Sequence, residues 1–281
     1  MTIQLAVHGG AGTPPKDLPA SRIALAAAVR AGRTVLSAGG PALDAVCAAV
    51  RVLEASGCFN AGRGAVRDTS GQITLDAALM AGHTRRAGAV ACVQNLCSPI
   101  HAARLVMERT RHVLLVGAGA DAFARSQGAV EAPPDWFVAP QLKAAHGTVG
   151  AVARDLFGHC AAATSTGGID DKAPGRVGDA PLIGAGTWAD GRCAVSATGL
   201  GEFFIRSAFA HRLAVEVERG QPLHHAGATA LADMVSLGGE GGAIAVGGDA
   251  SWLDFSTVAM ARGWLDASGA VHVAIGRGND Q

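Results

Sequence analysis

The junction Gly147-Thr148 constrains this chain more than any other feature. It opens the run Thr148-Val149-Gly150-Ala151-Val152-Ala153, whose small and branched apolar residues predict a strand, so a threonine stands at the mouth of a strand with glycine before it. A glycine there removes a Cβ from the approach to its own carbonyl, which the Thr148 hydroxyl can attack to turn the amide into an ester. Hydrolysis of that ester leaves Thr148 as a new N-terminus. One residue then holds both nucleophile and base, because the freed α-amine, with an ordinary pKa of about 7.7–8.0, can accept the hydroxyl proton. Taken alone, the string reads first as a plain turn entering a strand, and the segments that follow it change that reading.

Three of these are rich in glycine and hydroxyls and flank apolar runs: Ala163-Thr164-Ser165-Thr166-Gly167-Gly168, Pro174-Gly175-Arg176-Val177-Gly178-Asp179-Ala180-Pro181-Leu182, and Ser196-Ala197-Thr198-Gly199-Leu200-Gly201-Glu202. Upstream stand His8-Gly9-Gly10-Ala11-Gly12, Leu53-Glu54 through Phe59-Asn60-Ala61-Gly62-Arg63-Gly64, Leu75-Asp76-Ala77 and His112-Val113-Leu114-Leu115-Val116-Gly117. In this order, over nearly the whole chain, the segments resemble the plant-type L-asparaginase and isoaspartyl peptidase family, threonine hydrolases that cut themselves to free an N-terminal nucleophile.

The resemblance implies an α-subunit of residues 1–147, ending in a linker at about 128–147, and a β-subunit of residues 148–281, together one globular domain. It implies a dimer of such cleaved heterodimers, and hydrolysis of asparagine to aspartate and ammonia with removal of isoaspartyl residues from dipeptides. It implies a glycine loop of His8, Gly9, Gly10 and Gly12 close to the nucleophile. No cofactor is expected for the chemistry. A structural sodium ion is implied, wrapped by the backbone carbonyls of Leu53, Glu54, Ser56, Phe59, Ala61 and Arg63. Carbonyl oxygens suit a hard cation but leave no side-chain signature.

Composition narrows the class. The chain has 281 residues, 39 glycines and 49% hydrophobic residues, which suit tightly packed strands and exclude a disordered chain. Formal charge is zero, so no basic field is expected to hold nucleic acid or an anionic membrane, and a small substrate fits better. Cysteines 47, 58, 92, 97, 160 and 193 form no zinc spacing and are expected to be buried thiols in a reducing compartment. The start shows no basic-then-apolar leader, and no run reaches a membrane span, so a soluble cytoplasmic protein is the expectation.

Along the chain, Ile3–Val7 predicts a strand, ended by a bend at His8–Gly12 that Pro14-Pro15 closes. Those prolines stand where a phosphate-binding helix would start, which argues against a nucleotide site. Residues 21–37 and 41–56 predict helices, 66–80 a hairpin broken at Thr69-Ser70-Gly71, 87–94 a strand, 99–109 a helix and 113–116 a strand. Gly117-Ala118-Gly119-Ala120-Asp121-Ala122 imitates a dinucleotide fingerprint, but Pro133-Pro134 replaces the strand such a fold needs next. Strands are expected at 149–152, 160–164, 182–188, 193–198, 243–246, 257–261 and 271–275, and helices near Glu202 and over 224–235. This order predicts an α+β fold, a four-layer αββα sandwich of the N-terminal-nucleophile hydrolase type.

By resemblance, Thr148 attacks an aspartate-derived side-chain carbonyl, Thr166 orients the nucleophile, and Thr198 hydroxyl with Gly199 N–H holds the oxyanion. One such donor is typically worth about 2.7–4 kcal/mol. Arg176 and Asp179, three apart on one turn, match the α-carboxylate and α-ammonium of an amino acid; the bland reading is a surface ion pair. Leu200 and Gly201 complete the pocket. Leu200 replaces a hydroxyl frequent in the resembled family and makes the pocket more apolar. The shortened linker and His146 bear on self-cleavage. The alternatives are a glycosylasparaginase-like or threonine endopeptidase activity, against which stand Gly147 and the missing signal, and an uncut amino-acid-binding protein.

Overall fold

The computed structural model describes residues 2–12, 18–133, 135–137, 147–248, 250–255 and 258–277, with the backbone alone for 252–255. His146, Pro14-Pro15 and most of the linker lie outside the described residues.

The first strand does not stop at Val7. β1 (Gln4–Gly12) continues through the glycines, and its pairing with β11 (Ala259–Leu265) slips between His8 and Ala11, where Gly10 has φ 106°. The expected bend is therefore a bulge inside a strand, the device by which one extra residue re-aims its neighbours. α1 (Leu18–Ser37) and α2 (Ala42–Ser56) follow as expected, the second opened by Pro41 and ended by Gly57 in the left-handed region.

The hairpin expected over 66–80 is absent. Asp68 Oδ1 accepts from the N–H groups of Ser70 and Gln72 and the Ser70 hydroxyl, closing a tight polar turn that uses the donors a strand arm would need. β2 (Leu75–Ala81) pairs instead with β3 (Arg86–Val93). α3 (Pro99–Arg109), β4 (Leu114–Val116) and α4 (Gly117–Ser126) complete the first half.

Beyond Thr148 come β5 (Val149–Arg154), β6 (Cys160–Thr166), β7 (Thr187–Ala189) and β8 (Cys193–Gly199). β7 is shorter than the expected 182–188, because the Leu182 and Gly186 N–H groups bond Asp179 O and the Ala185 N–H bonds Leu182 O. The backbone there is spent on turns. α5 (Gly201–Ser207), α6 (Phe209–Glu218) and α7 (Leu223–Ser236) lead to β9 (Gly241–Gly247). An unanticipated β10 (Ala250–Phe255) pairs with β9, and β11 and β12 (Val271–Gly276) end the fold.

The strands form an eight-stranded sheet, β12-β11-β1-β5-β6-β2-β3-β4, and a four-stranded sheet, β10-β9-β8-β7. α1, α2 and α3 pack on the larger sheet, α6 and α7 on the smaller, and β1, β5 and β6 face β8 and β9. Period-2 alternation sorts the side chains. Val149, Ala151 and Ala153 point to the helices, while Val152, Cys160 and Ala162 meet Ala194, Ile244 and Val246 between the sheets. A third cluster, with Phe204, Phe209 and Leu213, lies under α5–α7. The fold class is α+β. Cys47, Cys160 and Cys193 are buried as expected, whereas Cys58, Cys92 and Cys97 are partly exposed. Among the described residues no helix is long and apolar enough to cross a membrane.

Candidate active site

Strand register brings the two expected hydroxyls together. Val149 stands opposite Ser165, so Thr148, just outside β5, meets Thr166 at the end of β6, and Thr148 Oγ1 lies 3.0 Å from Thr166 Oγ1. The Gly168 N–H donates to Thr166 Oγ1 at 2.9 Å, filling one lone pair and fixing the rotamer that faces Thr148. Gly147 and Thr148 are both buried.

The turn behind Thr166 is held by Asn60, quoted in the 59–64 motif, and by Lys172, which the sequence reading passed over. Asn60 Nδ2 donates to Gly168 O, its Oδ1 accepts from Val66 N–H, and its carbonyl accepts from Gly167 N–H. Lys172 is buried, and its Nζ donates to Thr74 O at 2.9 Å and Gly167 O at 2.8 Å. Desolvation lowers its pKa, and the Asp76 charge opposes that fall. Asp76 sits opposite Thr166 in the sheet and accepts from Cys92 N–H through Oδ1, while its buried Oδ2 has no hydrogen-bond partner among the described residues. A lone lysine in a glycine-rich stretch carried no sequence signal of burial.

Thr198 meets the glycine loop. The Ala11 N–H donates to Thr198 Oγ1 at 3.2 Å, which leaves the Thr198 proton free for another acceptor. His8 lies between the sheets, its Nδ1 3.0 Å from Thr148 O and its Nε2 2.9 Å from Ser196 Oγ. Burial takes its pKa down to about 3, so the ring is neutral, and facing a carbonyl its Nδ1 carries the proton. Gly9 lies within the bulge and packs against the Phe59 ring, and Gly12 lies past it, paired with Ala259.

Arg176 and Asp179 do not pair with each other as a surface ion bridge. Arg176 Nε and Nη2 donate to Glu202 Oε1 and Oε2, both at 2.9 Å, and this pairing lowers the Glu202 pKa. Asp179 is buried, and its Oδ2 has no hydrogen-bond partner among the described residues. Burial raises its pKa to about 7 against the pull of Arg176. The two side chains converge on Gly201, where a Cβ would lie 2.8 Å from Asp179 Oδ1 and 3.0 Å from Arg176 Nη2. Leu200 is half-buried beside them as the residue preceding α5. Glu202 stood at the edge of a quoted motif and was read only as the start of a helix.

The expected cation loop has oxygens to offer. Among the described residues no three His, Cys, Asp or Glu side chains gather as metal ligands. Glu54 turns its carboxylate away from the loop, accepting from the Ser98 and Ser165 hydroxyls and the Ile100 N–H, with its pKa raised to about 7 by burial. Leu53 O, Phe59 O and Ala61 O each accept one internal hydrogen bond and keep a second lone pair. A Cβ at position 62 would lie 2.7 Å from Glu54 O, and one at position 64 would overlap Phe59 O, so glycine alone permits these close backbone approaches. Carbonyl oxygens are the donor type a hard cation takes. Ser56 O accepts from the Cys58 thiol at 3.7 Å.

The site can therefore supply a hydroxyl nucleophile beside a second hydroxyl, a free hydroxyl donor, and a guanidinium next to a buried, unpaired carboxylate. The profile of the family described as Asparaginase matches residues 1–145 and 138–275. An isoaspartyl peptidase of Salmonella typhimurium is 45% identical, the match covering 92% of this chain and 94% of the relative. A plant-type L-asparaginase of Pyrobaculum calidifontis is 42% identical, over 92% and 96% respectively. An isoaspartyl peptidase/L-asparaginase of Danio rerio is 38% identical, over 97% and 95%.

Proposed function

This chain belongs to the asparaginase family, and we infer that it hydrolyses L-asparagine to aspartate and ammonia and removes isoaspartyl residues from the N-terminus of dipeptides. The observation that carries the reading is the hydrogen bond of Thr148 to Thr166 at a strand mouth preceded by glycine.

In this reading the Gly147-Thr148 bond is cut by the chain itself, giving subunits 1–147 and 148–281. The Thr148 α-amine takes the hydroxyl proton as Oγ1 adds to the substrate's side-chain carbonyl. The Thr198 hydroxyl, its oxygen already engaged by Ala11 N–H, points its proton at the new oxyanion together with Gly199 N–H. Collapse expels ammonia, or the amino group of the dipeptide's second residue, protonated by the α-ammonium. Water, deprotonated by the same amine, then cleaves the ester and releases aspartate.

Head-group recognition follows from the unpaired carboxylate. The substrate's α-ammonium supplies the partner that Asp179 Oδ2 lacks, while the Nη1 edge of Arg176, not used by Glu202, faces the α-carboxylate. Leu200 and Gly201 border this pocket. The finer architecture we read as a four-layer αββα sandwich, supported by the two facing sheets and the helices packed outside them. Carbonyls of the 53–63 loop would hold a sodium ion, which would stiffen the loop that carries Asn60. Family membership also supports a dimer of cleaved heterodimers.

The test is Thr148→Ala, assayed for ammonia from asparagine and for leucine from isoaspartyl-leucine. Loss of at least about a thousandfold in kcat/KM on both substrates is expected. Retention of either activity would show that another group is the nucleophile.

A further inference from the structure

A chain of polar side chains crosses the apolar space between the sheets. Four side chains from four strands form it: His8 on β1, Ser196 on β8, Thr164 on β6 and Thr187 on β7. His8 Nδ1 is 3.0 Å from Thr148 O, His8 Nε2 is 2.9 Å from Ser196 Oγ, Ser196 Oγ is 2.7 Å from Thr164 Oγ1, and Thr187 Oγ1 is 2.6 Å from Thr164 Oγ1 and 2.9 Å from Ala180 O. All four side chains are fully buried. One end is the carbonyl of the nucleophile. The other is the carbonyl of Ala180, next to Asp179.

The protons in this chain have one order. Thr148 O can only accept, so His8 Nδ1 donates and Nε2 offers a lone pair. Ser196 must then donate to His8, Thr164 to Ser196, and Thr187 to Thr164, its proton shared with Ala180 O. Room for the chain is kept by Gly150, which pairs with His8 on one side and Thr164 on the other, and where a Cβ would overlap both Ser196 Oγ and His8 Nε2.

We propose that His8, Ser196, Thr164 and Thr187 are positioning residues that fix the Thr148 main chain relative to the Asp179 turn. The proposal rests on the functional reading above. Thr148 lies outside the strand ladder, and once cut free its main chain is held covalently through Val149 alone, the bond to Thr166 engaging its hydroxyl and not its backbone. A chain end so placed frays unless a bond holds its carbonyl, and ψ of Thr148 sets the direction of both the hydroxyl and the amine. Because the opposite end of the chain ties the turn that carries Asp179, nucleophile and head-group site are referred to one frame.

The experiment compares Ser196→Ala, Thr164→Val, Thr164→Ser and Thr187→Val with wild type, rates being expressed per chain cut at Gly147-Thr148 as read by intact mass. Ser196→Ala and Thr164→Val should lower kcat on isoaspartyl-leucine by about tenfold with KM within twofold, the size expected for one buried hydrogen bond. Thr164→Ser should recover most of the rate. Thr187→Val, farthest from the scissile bond, gives the reading if Ser196→Ala does not cut itself, and should lose about threefold. If kcat stays within twofold of wild type in Ser196→Ala, or in Thr187→Val where the former stays uncut, while only melting temperature falls, the chain is inter-sheet packing and the proposal fails. Wild-type inactivity on both substrates would instead overturn the functional reading.

Discussion

At Asp179, fold and chemistry pull in opposite directions. The carboxylate is buried with one oxygen unbonded, and burial lifts its pKa from 3.8 to about 7. An aspartate whose pKa is raised by folding destabilises the protein wherever the unfolded chain is ionised. Below about pH 3.8 both states are protonated and nothing is lost. Between 3.8 and 7 the unfolded state ionises first, so stability falls as pH rises, and above 7 the full cost is present. Asp179→Asn should therefore melt higher than wild type at pH 8, with the gap closing by pH 4, while its KM for asparagine rises by at least about tenfold. Thermal melts across that range with a KM determination check this, and a variant less stable than wild type at pH 8 would contradict it. The sequence pointed to both Arg176 and Asp179 through their spacing on a glycine turn. That Arg176 turns to Glu202, which lies 26 positions on, is a matter of tertiary approach, and spacing along the chain carries no trace of it.

The elements were legible where periodicity was long and one-sided. α2 and α3 follow from a proline start and an apolar stripe, and β5, β6 and β8 from short runs of valine and alanine. The misreadings share one cause: backbone donors committed elsewhere. Asp68 takes the N–H groups that the expected hairpin arm required, and Asp179 O takes those of 182 and 186. The glycine loop of β1 was read as a bend because glycine marks a bulge and a turn alike. Gly150 was read simply as part of a strand, yet it is where β5 makes way for the His8–Ser196 bond. Gly150→Ala should cost about 1–3 kcal/mol in denaturant unfolding, as overpacking does, and should depress kcat as well. Gly191→Ala, with open space around it, serves as the neutral control. Equal stability of the two variants would argue against the crowding described.

On the scale of the molecule, two sheets meet across a largely apolar layer into which polar groups are buried, His8 among them. His8 is held neutral, its pKa lowered from 6.5 to about 3. A histidine depressed in this way leaves stability intact above pH 6.5, and stability drains away as pH falls from 6.5 towards 3, where the unfolded chain takes up the proton and the folded one does not. Asp179 and Glu54, both raised to about 7, act in the opposite sense as pH rises. His8→Asn keeps a donor for Thr148 O and removes the titrating ring. The advantage of wild type over this variant should shrink steadily between pH 6.5 and 4 in thermal melts, and a constant difference would mean that His8 is not held neutral by the fold. The family resemblance covered the order of motifs along the chain, whereas the polar seam joining four strands depends on which faces meet. Alternation placed Thr164 and Ser196 on inner faces, but no sequence rule pairs faces of separate sheets.

The account depends on Thr148 becoming a chain end. Intact-mass measurement and N-terminal sequencing of an active preparation test this most directly. Two fragments, residues 1–147 and 148–281, with the second reading Thr-Val-Gly-Ala and activity rising with the cut fraction, is the predicted result. Full activity from a chain unbroken between Gly147 and Thr148 would contradict it.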